Sequence, residues 1–259
     1  MTPRLFIDVP LSAGTSVELD ADRAHYLRDV LRLAAGATVL LFNGHDGEWR
    51  GAIESVGKRA VTLRVDSQTR PQEREPDLWL CFAPVKKARL DFIAEKATEL
   101  GASVLQPVMT KHTAVTRVNL GRLRANAIEA AEQTERLTVP EIREPVTLER
   151  LIAAWPRDRH LLLADESGGG APIAQCLGGL EPAAAPWAVL TGPEGGFARE
   201  ELDAIGSLPN VHPVGLGPRI LRADTAIVAA LAVWQAVLGD WRDAPRQAAG
   251  SHESAFTQP

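Results

Sequence analysis

Three short stretches carry residues whose types and spacing suit chemistry on a small ligand. LTGPEGGF, Leu190 to Phe197, sets one carboxylate, Glu194, among a proline and three glycines directly after an apolar run. LLLADES ends in Asp165, Glu166 and Ser167 and is followed by three glycines. HPVGLGPRILRADTA carries two spaced glycines, then Arg219 and Arg222, and runs straight into an apolar helical pattern. Glycines at such places let a ligand lie against bare main chain, which then donates and accepts hydrogen bonds directly. A lone carboxylate there has two readings. It is a partner for ligand hydroxyls, or an anion facing the start of the helix that REELDAIG predicts.

Each stretch follows a predicted strand, and the elements explain the grouping. Downstream of Leu78, strands alternate with helices: LWLCFAPV, KARLDFIAEKATELG, SVLQPVM, LGRLRANAIEAAEQTER, HLLLADE, WAVLTG, REELDAIG, VHPVGLG and ADTAIVAALAVWQAVLG. That alternation predicts a parallel α/β sheet, and such sheets bind ligands beyond the carboxyl ends of their strands. The last helix is apolar on most sides, which predicts burial in this domain or in a subunit interface. Upstream, RLFIDV, TSVELD, ATVLLFNG, EWRGAIESV and AVTLRVDSQ read as five short strands, with one helix capped by Asp20 and striped by Leu27, Val30 and Leu31. They predict a small β-barrel over residues 1–70. Residues 71–77, polar and proline-bearing, read as a linker, 78–242 as the α/β domain, and 243–259 as a disordered tail.

Composition excludes several classes. The chain has 259 residues, 45% of them hydrophobic and 24% charged, as in ordinary water-soluble domains. No apolar run approaches the roughly 18 residues of a membrane span. Nothing at the N-terminus resembles a secretory signal, so a cytoplasmic location is expected. Cys81 and Cys176 stand alone and the six histidines lack ligand spacing, so no metal site is expected. GxxxxGK[ST] is absent, and no GxGxxG follows the first strand of the α/β region, so neither familiar nucleotide signature applies. The net charge is -5, but it is uneven: residues 81–140 hold nine Lys and Arg against six Asp and Glu, whereas 141–215 hold five against eleven. The middle segment thus offers either a basic face or ordinary solvated charge.

LTGPEGGF together with LGPRILRADTA resembles the signature of the RsmE family of 16S ribosomal RNA uridine N3-methyltransferases. HYLRDVLRL and LFNGHDGEWRGAI are similar to the family's N-terminal PUA-like domain. KKARLDFIAEKATELGASVLQPV and AIEAAEQTERLTVPEI are similar to the first half of its α/β domain. The likeness runs over about residues 4–240. It departs at Ala223 and Asp224, where the family has Thr-Glu, at Ala198, where it has a capping Ser, and at Glu135, where a small residue is usual. Loss of the Ser cap should cost about 1 kcal/mol.

The resemblance implies a SPOUT-class α/β domain tied in a trefoil knot, a PUA-like barrel and a homodimer. It implies S-adenosylmethionine as cofactor and N3 of a uridine as target, uridine 1498 of 16S rRNA in the usual reference numbering, within the small ribosomal subunit. Adenine would lie among Leu190, Leu216, Ile220 and Leu221. Main chain of Gly192, Gly195, Val214, Gly215 and Leu216 would hold its edges and the ribose, with Thr191, Pro193, Gly196, Gly217 and Ala226 completing the site. Glu194 would take a ribose hydroxyl or fix the loop. Arg222 and Arg219 would face the charge that develops on the uracil oxygens, although Arg222 could instead bind phosphate, and Asp224 or a water would take the N3 proton. Lys86, Lys87, Arg89, Lys111 and Arg136, with His112, Arg117, Arg122 and Arg124, would hold RNA, aided by His25, Arg28 and Arg32 on the N-terminal helix. Three other readings fit the same residues: a SPOUT enzyme for another RNA position, a non-catalytic ribosome-assembly factor, and a small-molecule enzyme.

Overall fold

The computed structural model describes residues 2–57, 60–165, 167–180 and 185–243. The tail expected over 243–259 lies, after Asp243, outside the described residues, as does Glu166. The first domain is a five-stranded sheet built from β1 (Arg4–Phe6), β2 (Ser16–Glu18), β3 (Thr38–Phe42), β4 (Glu48–Val56) and β5 (Val61–Arg70), in the order β1-β3-β4-β5-β2. Its pairs are antiparallel except β1 with β3, which is parallel. Alternating residues of the longer strands, among them Val39, Leu41, Leu63 and Val65, point into one apolar core.

That core also takes in α1 (Ala21–His25), where Asp20 caps the helix by accepting the Arg23 N–H at 2.9 Å. The helix continues only as a π turn over Tyr26–Val30, closed by Leu31 N–H to the Tyr26 carbonyl at 2.9 Å. The expected stripe therefore breaks. Leu27 is buried, but Val30 and Leu31 face solvent, because i to i+5 winding removes the 3.6-residue spacing that would align them.

The second domain carries β6 (Leu78–Phe82), α2 (Lys87–Glu99), β7 (Val104–Met109), α3 (Leu120–Gln133), β8 (Glu141–Ile142), β9 (Val146–Thr147), α4 (Leu148–Ala153), β10 (His160–Ala164), β11 (Ala171–Pro172), α5 (Ile173–Gly178), β12 (Trp187–Thr191), α6 (Arg199–Gly206), β13 (Val211–Gly215) and α7 (Ala223–Val237). The sheet runs β11-β13-β10-β12-β6-β7-β8, every pair parallel. Its central strands are buried on both faces, as parallel strands covered by helices must be. Along β12 the alternation is explicit: Trp187 and Val189 join one apolar layer with α2 and α7, whereas Ala188 and Leu190 join the other with α4 and α6. The apolar stripe of α7 goes into the first layer through Ile227, Ala230, Leu231 and Trp234, so packing within the chain accounts for it.

The polar segment 71–77 is a clamp as well as a connection. Glu75 takes Arg136, and Asp77 takes Arg159 at 2.7 Å. Beside it the two domains meet around Arg4. This side chain is buried, bonds Glu48 at 2.8 Å, and donates to the carbonyls of Ala131, Glu132 and Arg136 where α3 ends. A guanidinium suits the Ala131 and Glu132 carbonyls, which lie in the last turn of α3 at the negative end of its dipole. Phe6 and Phe42 from the first domain pack with Ala131 and Leu137 from the second.

Candidate active site

β10, β12 and β13 lie side by side, with Ala164 in register with both Thr191 and Val214. Their carboxyl ends therefore bring the three glycine-bearing loops together. Between them opens a cavity of about 480 Å³, in the range of small-molecule sites. Two glycines are required by the packing there. A Cβ on Gly192 would come within 2.9 Å of the Phe197 ring, and one on Gly170 within 2.5 Å of the Val214 main chain.

Of the residues named for the cofactor, Thr191, Gly192, Pro193, Glu194, Gly196, Val214, Gly215, Leu216, Gly217, Ile220, Leu221 and Ala226 line this cavity. Leu190 and Gly195 do not. Leu190 points into the opposite apolar layer because strand alternation sends it away from Thr191, and Gly195 backs onto His112. Arg219 and Arg222 both line the cavity and are exposed. Asp224 is not among the lining residues; it sits in the first turn of α7, where its carboxylate accepts the Thr225 N–H at 3.1 Å. The carboxylates that do line the cavity are Asp165 and Glu194. Asp165 holds the Ser167 N–H at 2.8 Å and its hydroxyl at 2.7 Å.

Glu194 is paired with Arg89 of α2, which also lines the cavity. The sequence separation of 105 residues hid this contact. The loop is held at further points. Glu201, only 7% exposed, accepts the N–H of Ala198 and of Lys111, each at 2.8 Å. Glu201 thus supplies one half of a capping box although Ala198 has no side chain to supply the other. His112 Nδ1 lies 3.0 Å from the Gly196 carbonyl oxygen, and Lys111 Nζ pairs with Glu200. That pair holds the Glu200 carboxyl below its usual range.

The basic residues expected to face RNA thus divide. Lys86, Lys87, Lys111, Arg117 and Arg32 are exposed. Arg28 bonds Asp29 and the Gly57 carbonyl, and holds the Asp29 carboxyl down at about 2. Arg122 makes two 2.6 Å bonds to Asp91, and Arg124 meets Asp8 at 3.3 Å. Arg136 is a correction. It is 7% exposed, and its guanidinium is taken up by Glu75, Thr138 and the carbonyls of Thr98 and Ala102, so it cannot hold RNA. Cys81 is no nucleophile: burial pushes its thiol up to about 12.

One buried atom points to a ligand. Thr191 is 2% exposed and lines the cavity, yet its hydroxyl has no hydrogen-bond partner. Buried hydroxyls are rarely left so, and a polar ligand in the cavity would satisfy this one. Together with main chain opened by glycine, this fits a nucleoside-bearing cofactor.

A model of an RNA methyltransferase domain matches residues 72–235, and a model of an RNA methyltransferase PUA domain matches residues 19–66. The chain is 32% identical over 235 residues to ribosomal RNA small subunit methyltransferase E of Rickettsia conorii, covering 88% of this chain and 93% of the relative. The chain belongs to the ribosomal RNA small subunit methyltransferase E (RsmE) family. The family member from Neisseria gonorrhoeae, solved bound to S-adenosyl methionine, superposes with a TM-score of 0.83 at 25% identity, over 93% of this chain and all (100%) of that one. A Legionella pneumophila methyltransferase solved with bound SAM gives 0.82 at 29% identity, over 93% of this chain and 99% of that one. The α/β domain of this RsmE-family chain is thus of the SPOUT class, and its N-terminal sheet is PUA-like. Among the described residues no group of side chains could hold a metal ion, and no helix is long and apolar enough to cross a membrane.

Proposed function

We propose that the chain methylates N3 of a uridine in 16S ribosomal RNA, uridine 1498 in the usual reference numbering, using S-adenosylmethionine. The observation that carries this reading is the cavity at the ends of β10, β12 and β13, with its unpartnered Thr191 hydroxyl, in a chain similar to proteins solved with that cofactor. S-Adenosylmethionine, when bound, supplies the methyl group. The chain's residues hold and orient. Main chain of Gly192, Gly215 and Leu216 meets the adenosine, and the Thr191 hydroxyl takes one of its polar atoms. N3 of uracil is a weakly acidic imide nitrogen; its proton passes to a water in the cavity, and charge spreads to the neighbouring oxygens as it leaves. Arg222 and Arg219 line the cavity and place a guanidinium where that charge develops.

Lys86, Lys87, Arg89 and Lys111 hold the RNA backbone, and Arg32 extends the contact over the N-terminal domain. The partner is 16S rRNA or the assembled 30S subunit, and the target base leaves its stack to enter the cavity. The working unit is a cytoplasmic homodimer. Each chain has a PUA-like domain over 1–70, a connection over 71–77 and a knotted methyltransferase domain over 78–242. Calorimetric titration with S-adenosylmethionine tests the reading: one site per chain is expected, and no heat of binding overturns it.

A further inference from the structure

The Arg89–Glu194 pair is more exposed than a loop anchor needs to be. Its side chains are 35% and 54% exposed, and ion pairs so open to water contribute little to stability. The loop that bears Glu194 is already fastened by buried Glu201, which holds two main-chain N–H groups, and by His112 against Gly196. A second pair, Lys111 with Glu200 in the first turn of α6, is also open, at 59% and 65%. Both pairs stand at exposures where the carboxylate can exchange for another anion. Arg89 differs from Lys111 in one respect: it lines the cavity itself. A planar guanidinium there suits a phosphodiester, which it can meet through two parallel hydrogen bonds.

We propose that Arg89 binds a phosphate of the nucleotide that enters the cavity, and that Glu194 occupies this anion position until RNA displaces it. The inference rests on the methyltransferase reading of the cavity. Arg89 is a positioning residue in this account, and Glu194 is a built-in competitor of the substrate.

The test measures binding of a small-subunit rRNA fragment carrying the target uridine, by fluorescence anisotropy over a series of salt concentrations, to the full chain. Glu194→Gln is expected to tighten RNA binding about threefold to tenfold at low salt, with melting temperature unchanged. Arg89→Gln is expected to weaken it about tenfold and to lower the salt slope by about one. In the double variant the gain from Glu194→Gln disappears. RNA affinity that is unchanged or weaker in Glu194→Gln overturns the proposal, and so does a wild-type chain that does not bind the fragment. A wild-type chain that binds RNA but no S-adenosylmethionine refutes the methyltransferase reading instead.

Discussion

Arginine is used in opposite ways at the joint between the domains and at the cavity. At the joint, Arg4 and Arg136 are buried and bonded to carboxylates and to main-chain carbonyls at or just beyond the ends of helices. At the cavity, Arg219 and Arg222 are exposed and Arg89 holds a single, open carboxylate. A buried guanidinium is tolerable only when its donors are met, and at the joint they are met within the chain. A guanidinium left open beside a cavity is available to a ligand. Local sequence does not distinguish the two: Arg136 and Arg89 both lie in the same basic segment.

The contrast can be broken at either end. The largest effect is expected from Arg136→Met, which strips Glu75 of its buried partner and should cost about 3–5 kcal/mol in urea unfolding. A loss below about 1 kcal/mol would return Arg136 to the surface role that the sequence suggested. Next is Arg222→Ala. Methyl transfer should fall about 10²- to 10³-fold, the scale of removing one donor to a developing charge, while stability changes by less than about 0.5 kcal/mol. Equal losses of both would make Arg222 structural. Thr191→Val should then move stability and binding in opposite directions. Removing an unsatisfied buried hydroxyl should raise the stability of the cofactor-free chain by about 1 kcal/mol and weaken S-adenosylmethionine about fivefold. A tighter cofactor complex in the variant would show that the hydroxyl is not used. The smallest effect belongs to the joint. Glu135 follows α3 in the left-handed region, at a φ of 59°, where a side chain is strained. Glu135→Gly should stabilise the chain by about 0.5–1 kcal/mol without changing cofactor affinity.

Most of the architecture was legible because periodicity carries it. The five N-terminal strands and the main α/β alternation stand where apolar spacing put them. The short elements β8, β9, β11, α4 and α5 have too few residues for a period to show. The stripe on the N-terminal helix failed for a different reason, since a π turn leaves no mark that spacing can detect. At the cavity, glycines and loop positions were readable, and strand alternation alone could have excluded Leu190. Long-range pairing was not readable. Nothing near Arg89 names Glu194, and nothing near Arg136 names Glu75, because those contacts depend on how distant loops meet. The departure at Glu135 was visible as an unusual residue, but its strained backbone needed coordinates.

The central claim is that this cavity transfers a methyl group to N3 of one uridine in small-subunit rRNA. The most direct measurement incubates the protein with S-adenosylmethionine and small ribosomal subunits that lack the modification. The rRNA is then digested and its nucleosides read by mass spectrometry. The account predicts one N3-methyluridine per subunit, located at position 1498, and its formation about 10²- to 10³-fold slower with Arg222→Ala. Methylation of a different base or atom, or none with intact subunits and bound cofactor, would contradict it.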